Sequence, residues 1–310
     1  RMLQRPCSGC RGRLPGQQKG GIAQQAPEPA KKAQGETALA PGAEVIWRWT
    51  LVASPSTPDV KVLVLTLRQS VDRQARIQKA LDQAGIDFEF FWGVDGRKDQ
   101  HPFLNFYDEP KRMRTKGQPM TPGQLGCFAS HFGIWTRCDR ENKNCIVLED
   151  DVVFDEVELK SFIESIHQLP AHFECLRLFE NKTRNHKRYE LAEFERFRVL
   201  RYTKGPMSTM GYFITPQAAR KFLASANPVF LPVDIHMDRY WVNDVVCLGI
   251  QPAFISHDYG FESLIGYDKK DGRRAVSTRL NRELFTLSER VRRFFYNLGL
   301  NKTFCGKRGE

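Results

Sequence analysis

Nowhere in these 310 residues is there an apolar run long enough to span a bilayer. The stretch Ile46-Trp47-Arg48-Trp49-Thr50-Leu51-Val52 is too short and carries an arginine. The opening residues lack the basic-then-apolar order of a secretory signal. A disulfide framework is also missing. Of the eight cysteines, Cys127, Cys138, Cys145, Cys175 and Cys247 fall inside apolar patterns and read as small buried hydrophobes. Cys7 and Cys10 form a lone C-x-x-C, with no second pair or histidine at zinc-finger spacing. No internal repeat is visible. The expectation from these absences is a reducing, cytoplasmic setting.

A basic groove is lacking as well. The net charge of +11 suggests a nucleic-acid binder, but it is concentrated in the ends. Residues 1–58 carry a net +5 and residues 268–310 a net +7, which leaves −1 for residues 59–267. A near-neutral body is not the footprint of a nucleic-acid enzyme, so no nucleic-acid partner is expected. Basic tails fit an anionic surface or acceptor, or serve solubility alone.

What is present divides into three parts. Residues 1–58, rich in Gly, Pro, Gln and Ala, read as a disordered basic tail. Residues 59–267 alternate strand and helix patterns. Val60 to Leu67 reads as a buried strand, Val71 to Ala84 as a helix stopped by Gly85, and Ile86 to Val94 as a second strand. Residues 97–120 and 180–197 look like long irregular, charged excursions. Thr121, Pro122 and Gln124 mark a capping box opening a largely buried helix to about Cys138. Further strands are expected over Phe173 to Phe179, Thr209 to Ile214 and Ile250 to Ile255. The alternation indicates an α/β layer fold with a mixed, mostly parallel sheet flanked by helices.

Cys145-Ile146-Val147-Leu148-Glu149-Asp150-Asp151-Val152 is the most telling segment. Four apolar residues suit a strand buried on both faces, and open α/β sheets bind ligands at the carboxyl ends of such strands. Hard acidic oxygens there suit Mn²⁺ or Mg²⁺ holding a phosphate, with Asp151 the first choice of ligand and Asp150 and Glu149 beside it. A solvated acidic turn fits the three acids equally well.

Several segments, in order, resemble glycosyltransferase family 25. They are Leu65-Thr66-Leu67-Arg68 with Asp72-Arg73, Gly93-Val94-Asp95-Gly96, Thr121 through His131, Val147 through Val152, Gly211-Tyr212-Phe213-Ile214 and Pro232-Val233-Asp234. The resemblance covers about residues 60–240. Gln124 stands where the family usually has Glu, and Gly93 replaces the commoner Ala.

The resemblance implies a GT-A fold of Rossmann type and an inverting transfer of a hexose, typically galactose from UDP-galactose, to a lipooligosaccharide acceptor. It implies a divalent metal at the acidic motif, and donor contacts are expected from Thr66 and Arg68, which end the first strand, and from Arg73, Asp95 and Asp150, although both arginines also fit a solvated helix face. Asp234 becomes the leading base for the acceptor hydroxyl, although it suits a helix N-cap as well, with Glu262 and Asp258 as alternatives. Ser130 and His131 join the catalytic set as groups that orient the acids or sugar, His131 being equally readable as a core histidine. His257 is a further metal-ligand candidate or a surface turn residue. A non-catalytic carbohydrate- or surface-binding protein on the same fold is the rival reading.

The third part, residues 268–310, contains a basic amphipathic helix. Leu284, Leu287, Val291, Phe294, Phe295 and Leu298 recur at helical spacing, with Arg282, Arg290, Arg292 and Arg293 among them. Such a helix can lie on the anionic inner face of the cytoplasmic membrane, or pack on the domain with its arginines in water.

Overall fold

The computed structural model describes residues 60–181, 183, 186–258, 276–303 and 307–308. The expected tail 1–58, the Cys7/Cys10 pair and Glu262 lie outside the described residues. β1 (Val60–Thr66) sends alternate side chains into two cores, Val62 and Val64 to one and Leu63 to the other. α1 (Val71–Ala84) follows over the span its sequence indicates. Gly85 closes it at φ 64°, a left-handed conformation glycine adopts without strain. β2 (Glu89–Trp92) then pairs parallel to β1.

Residues 97–120 are not the irregular connection the sequence suggests. They hold a 3-10 turn, Pro102–Phe106, and α2 (Glu109–Lys116). Asp108 caps α2 by accepting from Lys111 N at 2.8 Å, and Pro110 lies in the first turn. That start signal sits in a polar stretch without apolar periodicity, which hides it. α3 (Pro122–Glu141) opens on the expected capping box. Thr121 Oγ1 accepts from Gln124 N and Gln124 Oε1 from Thr121 N, both at 3.1 Å. Glutamine here makes both halves of the capping box.

β3 (Asn144–Glu149), β4 (Val152–Phe154), α4 (Glu156–Ser165) and β5 (Cys175–Arg177) come next. β6 (Arg188–Phe194) and β7 (Phe197–Tyr202) then form a hairpin inside the expected charged excursion, a second correction. Most β6 side chains are exposed or half-buried, so the strand tolerates charges that mask its alternation. β8 (Gly211–Ile214), α5 (Pro216–Ser225), α6 (Val233–Met237) and α7 (Tyr240–Asn243) follow. The single strand expected over Ile250 to Ile255 is two, β9 (Cys247–Gln251) and β10 (Ile255–His257). α8 (Val276–Thr303) and β11 (Lys307–Arg308) end the described chain.

Among the described residues, nine strands form one sheet in the order β11-β6-β7-β9-β5-β8-β3-β1-β2, and β10 pairs with β4 apart from it. β1, β2, β3, β5, β6 and β9 run one way, with β7, β8 and β11 against them. The majority direction is the one the strand–helix alternation implies. Helices cover both faces. Ile146 and Leu148 of β3 pack with Ile77, Leu81, Leu159 and Phe162, while Cys145 and Val147 pack with Phe128, Trp135 and Phe222. β3 is thus buried on both sides, each such side chain worth about 1.5–3 kcal/mol. The acids begin where this anchored run ends. Among the described residues no helix is long and apolar enough to cross a membrane.

Candidate active site

Parallel pairing of β1 with β3 sets Leu65 beside Glu149, so Thr66 falls next to Asp150. Thr66 Oγ1 donates to Asp150 Oδ2 at 2.6 Å. From the first turn of α1, Arg73 Nη1 reaches Asp150 Oδ1 at 3.1 Å and Asp151 Oδ2 at 3.3 Å. Asp150 is buried with both oxygens bonded. Asp151 differs, because its Oδ1 is buried and has no hydrogen-bond partner. Burial, the neighbouring Glu149 charge and Asp150 push the Asp151 carboxyl up to about 6 against the pull of Arg73. The turn is braced from behind. Arg76, one helical turn after Arg73, donates to Val152 O at 3.2 Å and ion-pairs with Asp258, whose N–H donates to Asp151 O at 2.9 Å. Asp258 is therefore tied to Arg76, and His257 leads into it from β10, paired with Val152.

Glu149 faces α3. Thr209 Oγ1 donates to its Oε1 at 2.5 Å, and His131 Nε2 stands 3.4 Å from the same oxygen, off the line of a hydrogen bond. His131 is fully buried, with Nδ1 2.9 Å from the Tyr212 hydroxyl, which also receives the Trp135 Nε1–H at 3.2 Å. An indole can only donate, so the tyrosine hydrogen is free to go to Nδ1. Burial opposes ionisation of Glu149, but His131, Thr209 and His257 outweigh it and hold its carboxyl below the usual range. Cys127, one turn before His131, is half-buried against these acids rather than being a core hydrophobe like the other four. Burial and the charges of Glu149, Asp234 and Asp151 raise its thiol well above normal, so it stays protonated.

The opposite wall is the turn after β2. Ser130 Oγ accepts from Val94 N at 2.8 Å and donates to Gly126 O at 2.7 Å, pinning this turn to α3. A Cβ on Gly126 would lie 2.5 Å from Gly96 N and from Val94 O, so the two backbones touch there. Asp95 accepts from Gln69 Nε2 at 2.9 Å and Arg97 N at 3.1 Å. Together the walls form an open cleft of about 110 Å³ whose lining includes Thr66, Arg73, Asp95, Arg97, Cys127 and Asp151.

Glu149, Asp150 and Ser130 also line the cleft, whereas Arg68 does not. Its guanidinium lies 4.8 Å from the Trp92 ring centroid, on an exposed surface. Asp234, second residue of α6, stands outside the lining but close enough for its charge to act on Cys127. Its Oδ2 accepts from Ser208 N at 3.4 Å. Met207 and Ser208 both have positive φ, 56° and 64°. Arg177 Nη1, donating to Ser208 O at 2.6 Å, and Asp238, accepting from Met207 N at 2.7 Å, hold them there. Sequence reasoning missed Arg76, Arg97, Thr209 and Tyr212. Two of them left a signal, Arg76 in its place three residues after Arg73 on the same helix face and Tyr212 in its place within the Gly211–Ile214 motif.

The model of "Glycosyltransferase family 25 (LPS biosynthesis protein)" matches residues 59–237. "Procollagen galactosyltransferase 2" of Homo sapiens is 30% identical over 202 residues, covering 58% of this chain and 30% of that protein. A "Glycosyltransferase 25 family member" of Drosophila melanogaster is 27% identical over 213 residues, covering 58% of this chain and 32% of that one. The chain thus spans about a third of the length of these curated relatives. A solved glycosyltransferase involved in glycosylating the major capsid of PBCV-1 aligns at 9% identity with TM-score 0.29, over 56% of this chain and 68% of that one, too slight a likeness to build on.

Proposed function

The chain belongs to glycosyltransferase family 25, and from that premise we propose that it transfers galactose from UDP-galactose to an acceptor hydroxyl with inversion. The observation that carries this reading is the unpartnered Asp151 Oδ1 in a cleft whose other acids are already fixed. Thr66 and Arg73 hold Asp150 rigid, and Arg73 remains as a cation near an incoming diphosphate.

A divalent ion fits this donor set. Cys127, His131 and Glu149 offer ligand atoms within 4.8 Å of one another. The protonated thiol argues against the first, and hard oxygens suit these ions best, so those of Asp151 and ionised Glu149 would hold Mn²⁺ or Mg²⁺. When bound, such an ion supplies positive charge that offsets the charge building on departing UDP. In the transfer, the acceptor oxygen bonds to the anomeric carbon as the bond to UDP breaks on the opposite face. Asp234 takes the hydroxyl proton. His131 and Ser130 position rather than react, the first by packing beside Glu149 and the second by fixing the 93–97 turn.

The test is hydrolysis and transfer from a panel of UDP-sugars, with Mn²⁺ or chelator. One acceptor is a lipooligosaccharide saccharide, as the sequence suggests, and the other a procollagen peptide, as the relatives' names suggest. UDP-galactose turnover that needs the metal and is lost in Asp151→Ala supports the reading. Full activity of that variant in chelator defeats the metal assignment, and absence of any metal-linked UDP binding favours a non-catalytic binding protein.

A further inference from the structure

We propose that α8 is a dimerisation helix whose outward seam pairs with the same helix of a second copy of this chain. The inner side of α8 is already occupied. Phe285 packs edge-on against Phe230 with centroids 5.9 Å apart. Glu289 bonds Arg239 through both carboxylate oxygens at 2.6 and 3.0 Å. Tyr296 donates to Asp244 Oδ1 at 2.7 Å, and Asn297 Oδ1 accepts from the Tyr240 hydroxyl at 3.0 Å. These contacts fix the rotation of the helix about its axis and determine what it shows to solvent.

It shows Leu280, Leu284, Leu287, Val291, Phe294 and Leu298, which are 44–60% exposed, with Phe295 at 65% beside them. The spacing alternates four and three without a break, so Leu280, Leu287 and Phe294 repeat every seven residues, as do Leu284, Val291 and Leu298. This is the a/d pattern of a two-stranded coiled coil, with leucine or phenylalanine at d and leucine or valine at a. Seven such side chains expose on the order of 100 Å² each, so pairing two copies buries roughly 1,400 Å². A specific interface needs about 1,000 Å².

The charges favour a second copy over a lipid surface. A helix lying on an anionic membrane keeps a polar face rich in Lys and Arg free to reach the headgroups. Here that face is turned onto the domain, since Arg279, Arg282 and Arg293 fall on the wheel with the inner face and Arg293 lies 5.8 Å from the Trp241 ring centroid, while Arg292 is exposed between that face and Phe295. The seam is bordered instead by Glu283, Arg290 and Asn297 on one side and by Asn281, Ser288 and Phe295 on the other. In a parallel pair, Arg290 meets the other copy's Phe295, a cation–ring contact, and Glu283 meets its Ser288, so no like charges face each other. Both domains then sit on opposite outer sides of the pair, where the inner contacts already hold them.

The experiment is sedimentation equilibrium of the full chain at micromolar concentration, with and without Leu287→Glu plus Phe294→Glu, and Tm recorded for both. A particle of twice the 35.7 kDa chain mass that becomes monomeric in the double variant, with its cooperative unfolding kept and the concentration dependence of Tm lost, supports the seam. A wild-type monomer overturns it. A monomer that floats with phosphatidylserine vesicles and loses this in the variant assigns the face to membrane instead. A dimer that survives both substitutions places the interface elsewhere.

Discussion

Replacing Asp151 with asparagine should make the metal-free protein more stable and the enzyme inactive. The carboxyl is held at about 6 against 3.8 in an unstructured chain, and its side chain is only 19% exposed, so solvent screening discounts little. A raised acid pKa contributes stability that is complete below the unfolded value and is lost as pH rises through the folded one. The difference of 2.2 pH units between those two values corresponds to about 3 kcal/mol at pH 8 and roughly half of that at pH 5. The asparagine side chain has nothing to ionise and keeps the shape. Asp151→Asn should therefore exceed wild type by up to ~3 kcal/mol at pH 8, a Tm rise on the order of 5–10 °C. The gap should close as pH falls toward 4. Urea unfolding of both proteins in chelator, at several pH values, measures it. A variant less stable at pH 8, or a gap indifferent to pH, refutes the reasoning. So does retention of transfer activity, which should fall by at least about 100-fold if this oxygen acts in the transition state.

Two other outcomes follow from contacts around the site. Tyr212→Phe removes the hydroxyl that serves both Trp135 and His131, leaving two buried ring nitrogens without it; a loss of about 1–3 kcal/mol in urea unfolding is expected. Gly126→Ala places a methyl 2.5 Å from the backbone of the 93–97 turn; it should lower Tm and weaken UDP binding together, and a variant with wild-type values of both would show that the turn is not held by α3.

Where signals are local, the sequence was a sufficient guide. The bounds of α1 come from its Ile77 and Leu81 spacing and from Gly85, and the start of α3 from Thr121 and Gln124, all within one or two turns of the chain. The double burial of β3 was legible because four apolar residues in a row have no solvent face to spare. β6 was hidden by its half-exposed, charged side chains, and α2 by its polar composition. The site was half legible for a different reason. Its acids are contiguous, but Tyr212 lies 81 residues from His131 and Thr209 lies 60 from Glu149, so only the folded sheet brings them together. Arg68 was singled out by motif, and the structure stacks it on Trp92, a pairing that spacing does not announce. Cys127 looked like its apolar neighbours, and only the acids brought across from β3 and α6 distinguish it.

Calorimetric titration of UDP into wild type and Asp151→Asn, each with Mn²⁺ and with chelator, tests most directly whether the β3 acids hold a diphosphate through a divalent cation. Wild type should bind UDP with Mn²⁺ and lose at least about tenfold in affinity, near 1.4 kcal/mol, on chelation. The variant should bind weakly under both conditions. Equal UDP affinity in all four titrations contradicts the assignment.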